Sequence, residues 1–393
     1  MPVLDSFPHN PWVCTWLATS QPTYGEAFPL PVEIPSSLCN QTVRQTLRIS
    51  LGGQKLRFKF SNRYGTQPLT LGESHFVLKA PSGEQWIMPI TFDGQCETVI
   101  PTGQTIYSDE VIQSVPALSE IELRTYLPTL VHLKTFHWDA HHYSQLESGN
   151  RTREEADKNS LLISSRLLLE SVDIQPNVPS QTVVVIGDSM VDGNGVEMGT
   201  YARWIDFLAE RIISKSAAVV NAGQSGSRLL KDGIGISTLS RFTQDVIDQP
   251  GITTCIVQVG LNDLGLAETA LAPTDIIPSA NMLINGYQQL LKMAHKKGLH
   301  VIGVTLVPLR CEEEYGLENF YSSEKDAIRQ TVNQWIRSSG EFDALIDSDQ
   351  LVCDAENSHQ LKSIYNSGDH LHLNKAGHRH IAESISLDSI LRC

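Results

Sequence analysis

The chain has 393 residues, 41% of them hydrophobic and 19% charged, which is enough for two domains that each bury their own core. A net charge of −14 and a pI near 5.4 exclude a polyphosphate binder, which needs a clustered basic surface that no Lys/Arg run supplies here. No nucleic acid or anionic membrane partner is therefore expected, and no integral membrane association, since no stretch reaches the roughly 18 apolar residues of a span. Residues 1–10 lack a basic n-region followed by an apolar core, so no signal peptide is expected. Seven scattered cysteines without metal spacing read as free thiols of a reducing, cytoplasmic setting; a secreted mature chain with three disulfides is the alternative.

In chain order, the first part reads as β-rich. Val43, Leu47, Ile49 and Leu51, then Leu56, Phe58 and Phe60, approximate the period of two of half-buried strands. Gly52-Gly53 between them predicts a two-residue hairpin turn. Short strands are expected at 69–71, 75–78, 85–89 and 121–126, separated by turns such as Pro81-Ser82-Gly83. This is the pattern of an antiparallel β-sandwich, jelly-roll-like. The segment 174–181 carries two prolines and no periodicity. It predicts a boundary between an N-terminal β-sandwich domain over 1–173 and a second domain over 181–393.

Beyond the boundary the pattern changes. Apolar runs at 183–186, 217–220, 255–259, 301–307 and 344–346 alternate with amphipathic stretches near 202–214, 279–297, 324–337 and 375–387. Such alternation predicts an α/β fold, a parallel sheet covered on both faces, with ligands at the carboxyl ends of its strands. Three groups of reactive residues follow predicted strands directly: Gly187-Asp188-Ser189-Met190, 221–226 (NAGQSG), and Gly260-Leu261-Asn262-Asp263. A fourth, Asp369-His370-Leu371-His372, precedes the last helix, which Asn374 is placed to cap.

These residue types suit attack on an ester carbonyl, which needs a nucleophile, a base and donors for the developing oxyanion. Ser189 can attack and His372 can take its proton. Asp369, three residues earlier, can orient the imidazole and stabilise the imidazolium. The oxyanion hole would comprise the Ser189 and Gly226 backbone N–H groups and the Asn262 side-chain amide. Asp188, Asp192 and Asp263 read as loop-holding carboxylates, and Gly223 as a turn residue. Glu312-Glu313-Glu314 reads as a solvated charge run on the loop after the fourth strand.

GDS, the glycine of the second segment, G-x-N-D and D-x-x-H, in this order, resemble the four blocks of the SGNH/GDSL hydrolases. The chain is similar to two-domain GDSL acylhydrolases with an N-terminal β-sandwich, from Trp12-Val13-Cys14-Thr15-Trp16 through Ser61-Asn62-Arg63-Tyr64-Gly65 to the final block. Ser227 departs from the resemblance, standing where relatives usually carry Asn. The resemblance implies a flavodoxin-like α/β/α hydrolase domain, no cofactor and no metal. It also implies a small-molecule or glycan-linked ester as substrate: short-chain acyl or acetyl esters, acetylated sugars, lysophospholipids or thioesters.

Rival readings meet specific obstacles. A metal-dependent phosphoesterase would use 187–193 (GDSMVDG), 139–141 (DAH) and 377–380 (GHRH), yet 260–263 lacks the histidine its third block needs. His378 and His380, two apart on a helix, would point in different directions. The cluster of His132, His137, His141, His142 and Asp139 reads as surface or inter-domain side chains rather than metal ligands. A carbohydrate-binding protein with a silent site would stack sugars on Trp12, Trp16 or Trp138. An α/β-hydrolase would require G-x-S-x-G at the nucleophile, and a dinucleotide-binding protein G-x-G-x-x-G after its first strand; neither occurs at 187–193.

Overall fold

The computed structural model describes residues 11–25, 28, 30–79, 84–311 and 317–391. The turn at 81–83, the charge run at 312–314, residues 1–10 and Cys393 lie outside them. Two large antiparallel sheets make up most of the N-terminal part. In one, Val13–Leu17, Leu169–Gln175 and Gly53–Ser61 lie side by side, and Thr105–Tyr107 and Val111–Val115 both pair with Gly53–Ser61. In the other the order is Leu161–Ile163, Ser144–Ser148, Gln41–Arg48, Glu120–Leu127, Ser74–Lys79, Gln85–Ile90.

Alternation puts Leu56, Phe58 and Phe60 of the first sheet into the same apolar cluster as Val43, Leu47 and Phe76 of the second. Each such side chain contributes about 1.5–3 kcal/mol by leaving water. One expectation fails here. Gln41–Arg48 and Gly53–Ser61 belong to different sheets, so Gly52-Gly53 is a crossing between layers and not a hairpin turn. The glycines are needed for close approach: a Cβ on Gly52 would come within 2.5 Å of the Ala117 amide, and one on Gly53 within 2.2 Å of the Gln175 carbonyl oxygen. Periodicity reports that a strand is half buried and says nothing of its partner.

Residues 176–180 lead into a five-stranded parallel sheet. Its order is Ala217–Gly223, Gln181–Gly187, Ile252–Gln258, His300–Val304, Ala344–Ile346. In chain order this is 2-1-3-4-5, the flavodoxin-like arrangement, whose switch point lies between the first and third strands. The strands are mainly apolar along their middles because both faces are covered, and Val183, Val184, Val185 and Ile186 are all buried. Trp204–Ile212 packs against Lys375–Ser384, and Ala280–Lys296 against Ser323–Ser338. The fourth strand stops at Val304, short of the apolar run through Val307; beyond it the Leu306 amide donates to the Asn333 side chain at 2.7 Å instead of continuing the ladder.

The strand Val13–Leu17 joins the two parts. Val13 lies in the N-terminal apolar cluster, while Cys14 and Leu17 lie in that of the parallel sheet. The six described cysteines, Cys14, Cys39, Cys96, Cys255, Cys311 and Cys353, are free thiols. No helix among the described residues is long and apolar enough to cross a membrane.

Candidate active site

The first parallel strand ends at Gly187, and Asp188 caps the single turn Ser189–Asp192 that follows, accepting from the Met190 amide at 3.0 Å. Ser189 is thereby half buried at the carboxyl edge of the sheet. Buried Arg241 donates to the carbonyl oxygens of Gly187 and Ala222, at 2.7 Å each, and so ties the ends of two neighbouring strands beside the serine. Nothing in the sequence singles this arginine out.

Asn374 does cap the helix Lys375–Ser384, accepting from the amides of Ala376 and Gly377 at 2.9 and 3.1 Å. The loop before it is organised by Asp369. Its Oδ1 accepts from the Ser367 hydroxyl at 2.8 Å and from the Leu371 and His372 amides at 2.9 and 2.8 Å. Its Oδ2 lies 2.5 Å from His372 Nδ1, and His372 Nε2 lies 2.8 Å from Ser189 Oγ. With the carboxylate accepting the Nδ1 proton, Nε2 is left to accept the serine hydroxyl. Burial would raise the Asp369 pKa, but the bonds and charge of His372 and the two amides outweigh it and hold the carboxyl well below the usual range. A hydroxyl, an imidazole and an ionised carboxylate in line can move a proton off Ser189.

Gly226 and Asn262 line the same cleft as Ser189 and His372, a cavity of about 420 Å³. Gly226 has φ +76°, and a Cβ there would come within 2.4 Å of Ile234, so the segment follows a path closed to other residues. Two carboxylates clamp it. Asp192, in the turn that carries Ser189, accepts from the Ser225 amide and hydroxyl at 2.9 Å each. Asp263, beside Asn262, accepts from the Leu229 and Leu230 amides at 2.6 and 2.9 Å. The Asn262 amide donates to the Ser227 carbonyl at 3.1 Å. Gly223, read as a turn residue, is the last residue of the second strand.

The histidine cluster spans the contact between the two parts. His132 is exposed. His141 bonds Asn194 at 3.0 Å, and the His142 ring sits 4.5 Å from that of Tyr201. Buried His137 places one nitrogen 3.0 Å from the Thr19 carbonyl and the other 3.1 Å from Asp192. Both neighbours are acceptors, so the ring must be an imidazolium to serve both. Burial pulls the His137 pKa down, and the charge of Asp192 outweighs that to leave it raised. His378 is buried and accepts the Trp204 amide at 3.3 Å, while His380 stacks on Tyr365.

Sequence reasoning missed the walls of the cleft. Leu266, Leu271, Leu317 and Phe320 line it, and the N-terminal part adds Leu30 and Trp138. Isolated apolar residues carry no motif, because what makes them a wall is only that they meet. Of the three tryptophans read as sugar platforms, Trp12 is buried and Trp138 belongs to this cleft.

The family model for GDSL-like lipase/acylhydrolase matches residues 183–385, more than half of the chain. The chain belongs to that family of GDSL-like lipases and acylhydrolases, a class of hydrolases. A search of curated proteins finds no match. Among solved structures, the chain is similar to a carbohydrate acetylesterase, Est24, from Sinorhizobium meliloti, with 14% identity over 52% of this chain and 96% of that one, TM-score 0.40. The M. smegmatis aryl esterase shows 16% identity over 54% and 100%, TM-score 0.41. A GDSL-like lipase from Bacteroides thetaiotaomicron VPI-5482 shows 17% over 52% and 84%, TM-score 0.39.

Proposed function

We propose that the chain is a serine esterase that hydrolyses carboxylic esters through an acyl-enzyme on Ser189. The observation that carries this reading is the unbroken hydrogen-bond chain Ser189–His372–Asp369 at the mouth of the cleft. His372 takes the Ser189 proton as Oγ bonds to the ester carbonyl carbon. The Ser189 and Gly226 amides and the Asn262 side chain hold the resulting oxyanion. Collapse expels the alcohol, which leaves with the proton from His372, and the acyl group stays on Ser189. Water, deprotonated by His372, then attacks the acyl carbonyl; the acid leaves and Ser189 recovers its proton.

A cleft of about 420 Å³ with largely apolar walls suits a small ester, with the acyl group and part of the alcohol both inside. Short-chain acyl esters, or acetyl groups carried on a larger alcohol such as a sugar, are the substrates it fits best. We read residues 1–173 as a jelly-roll-like antiparallel β-sandwich domain and 181–393 as the flavodoxin-like hydrolase domain, a division supported by the two apolar clusters. The N-terminal domain then has a role at the site, since Trp138 and Leu30 wall the cleft.

The test is p-nitrophenyl ester hydrolysis, acyl chains C2 to C12, by wild type and Ser189→Ala, with and without EDTA. Activity that survives EDTA and falls at least about 1000-fold in the variant supports the serine mechanism. Full activity in Ser189→Ala, or its loss in EDTA, refutes it.

A further inference from the structure

We propose that the junction between the N-terminal sheets and the parallel sheet holds a small monovalent anion, of the halide class, on Arg166. A cavity of about 50 Å³ lies there, lined among others by Arg166, His142, Tyr201, Arg203, Asp192 and Asp206. One water needs roughly 10–15 Å³ of such space, so there is room for a halide and a water or two but not for a bulky organic acid.

Arg166 is the anomaly in this wall. It is only 4% exposed, and among the described residues it makes neither an ion pair nor a hydrogen bond through its side chain. Its Nη1 is buried without a partner. The Trp16 ring faces it with its centroid 5.9 Å from the guanidinium carbon, and the Tyr201 hydroxyl is the one group nearby that favours its charge. Buried charges are normally paired, and a guanidinium cannot escape the cost by losing its proton near neutrality. Burial lowers the Arg166 pKa only to about 10.

The carboxylates in the wall are already engaged. Asp206 is held by Arg203 at 2.8 Å, with Arg48 3.6 Å away, and Asp192 is held by His137 at 3.1 Å. Arg48 has a second carboxylate, Glu210, at 3.0 Å. Arg166 is left with a full positive charge and no counter-ion in a chain whose net charge is −14, so the imbalance is local and built in. His142 supplies a second donor. Its Nε2 is buried and unpartnered, and burial together with Arg166 and Arg203 keeps the ring neutral, its pKa lowered to about 3. A neutral ring protonated at Nε2 offers an N–H to an anion without adding charge.

The experiment uses the full chain. In crystals soaked in bromide, anomalous scattering is expected to place one ion against Arg166 Nη1; density that refines as water alone at saturating bromide overturns the proposal. In solution at constant ionic strength, replacing gluconate by chloride or bromide is expected to raise the unfolding midpoint by several degrees, saturably. Arg166→Met is expected to abolish that dependence, and an undiminished halide response in the variant overturns the proposal. Should Arg166→Met not fold, Arg166→Lys is expected to weaken halide affinity at least tenfold, and the crystal test stands on the wild type alone.

Discussion

His137, at the end of the N-terminal strand Thr135–His137, lies 3.1 Å from Asp192, the buried carboxylate three residues beyond Ser189. Asp192 in turn holds the Ser225 amide next to Gly226. The N-terminal part is thus wired to the nucleophile turn and to the proposed oxyanion segment through this ion pair, with the His141–Asn194 bond beside it. His137→Ala would leave Asp192 charged and unpaired, a change that costs about 3–5 kcal/mol. Urea unfolding is expected to show a loss of that order, with kcat lower by about tenfold or more as the Gly226 segment loosens. A variant with wild-type stability and kcat would mean that the pair positions nothing.

The same pair predicts a pH dependence. The His137 pKa is raised above its ordinary 6.5, so its stabilisation is complete below that value and is lost as pH rises through the folded-state value. For Asp192, burial would raise the pKa, but the charge and hydrogen bond of His137 lower it below the ordinary 3.8. Its stabilisation is present above that value and is lost as pH falls through the folded one. The pair therefore stabilises most between about pH 4 and 6.5. Unfolding free energies measured from pH 5 to 9 should fall with rising pH in wild type, and His137→Gln should remove part of that slope.

Asp369→Asn tests the base. The substitution keeps an acceptor for the Leu371 and His372 amides but points an amide N–H at His372 Nδ1, which forces the proton to Nε2. Nε2 can then no longer accept from Ser189. A fall in kcat of roughly 10⁴ with KM little changed is expected, by analogy with serine hydrolases of this geometry. Steady-state kinetics at pH 7.5 decide it; a fall under tenfold would remove Asp369 from the mechanism.

Asn262→Ala and Gly226→Ala should separate two effects at the oxyanion site. Loss of the Asn262 amide is expected to lower kcat about 100- to 1000-fold at unchanged KM. Alanine at 226 meets both a φ of +76° and a contact 2.4 Å from Ile234, so it should lower the unfolding midpoint as well as kcat. Thermal unfolding alongside kinetics distinguishes them: Asn262→Ala loses the bond to the Ser227 carbonyl, about 1 kcal/mol, and should lower the midpoint less than Gly226→Ala does.

Trp138→Ala removes the largest side chain that the N-terminal part contributes to the cleft. Its ring also packs edge-on against Tyr24, with centroids 5.6 Å apart, which fixes its position. The variant should turn over acetyl esters nearly normally while its acyl-chain optimum moves to longer chains. An unaltered C2-to-C12 profile would show that Trp138 does not limit the pocket.

The parallel strands and the long helices were legible because each is apolar on the faces or stripe it buries, and a period in sequence is a period in space. Gly187–Ser189, Asn262-Asp263 and Asp369–His372 stood out as candidates for a related reason: each is a short local unit attached to the end of an element, so its position can be read without its neighbours. Gly52-Gly53 was misread because the turn chemistry is local while strand pairing is not. Arg241 escaped notice, since a lone arginine on a helix looks solvated until the carbonyls of Gly187 and Ala222 are seen to converge on it.

By itself, then, the sequence determined which residues could do chemistry, and on which edge of an α/β sheet they would stand. Only the tertiary structure decided that Ser189 Oγ and His372 Nε2, 183 positions apart, come within 2.8 Å. It also decided that Trp138 walls the cleft, that His137 pairs with Asp192, and that Arg166 is left without a counter-ion. Each of these is a meeting of side chains from distant segments. Such meetings are set by how layers pack and which carboxylates are already engaged, and no local pattern records either.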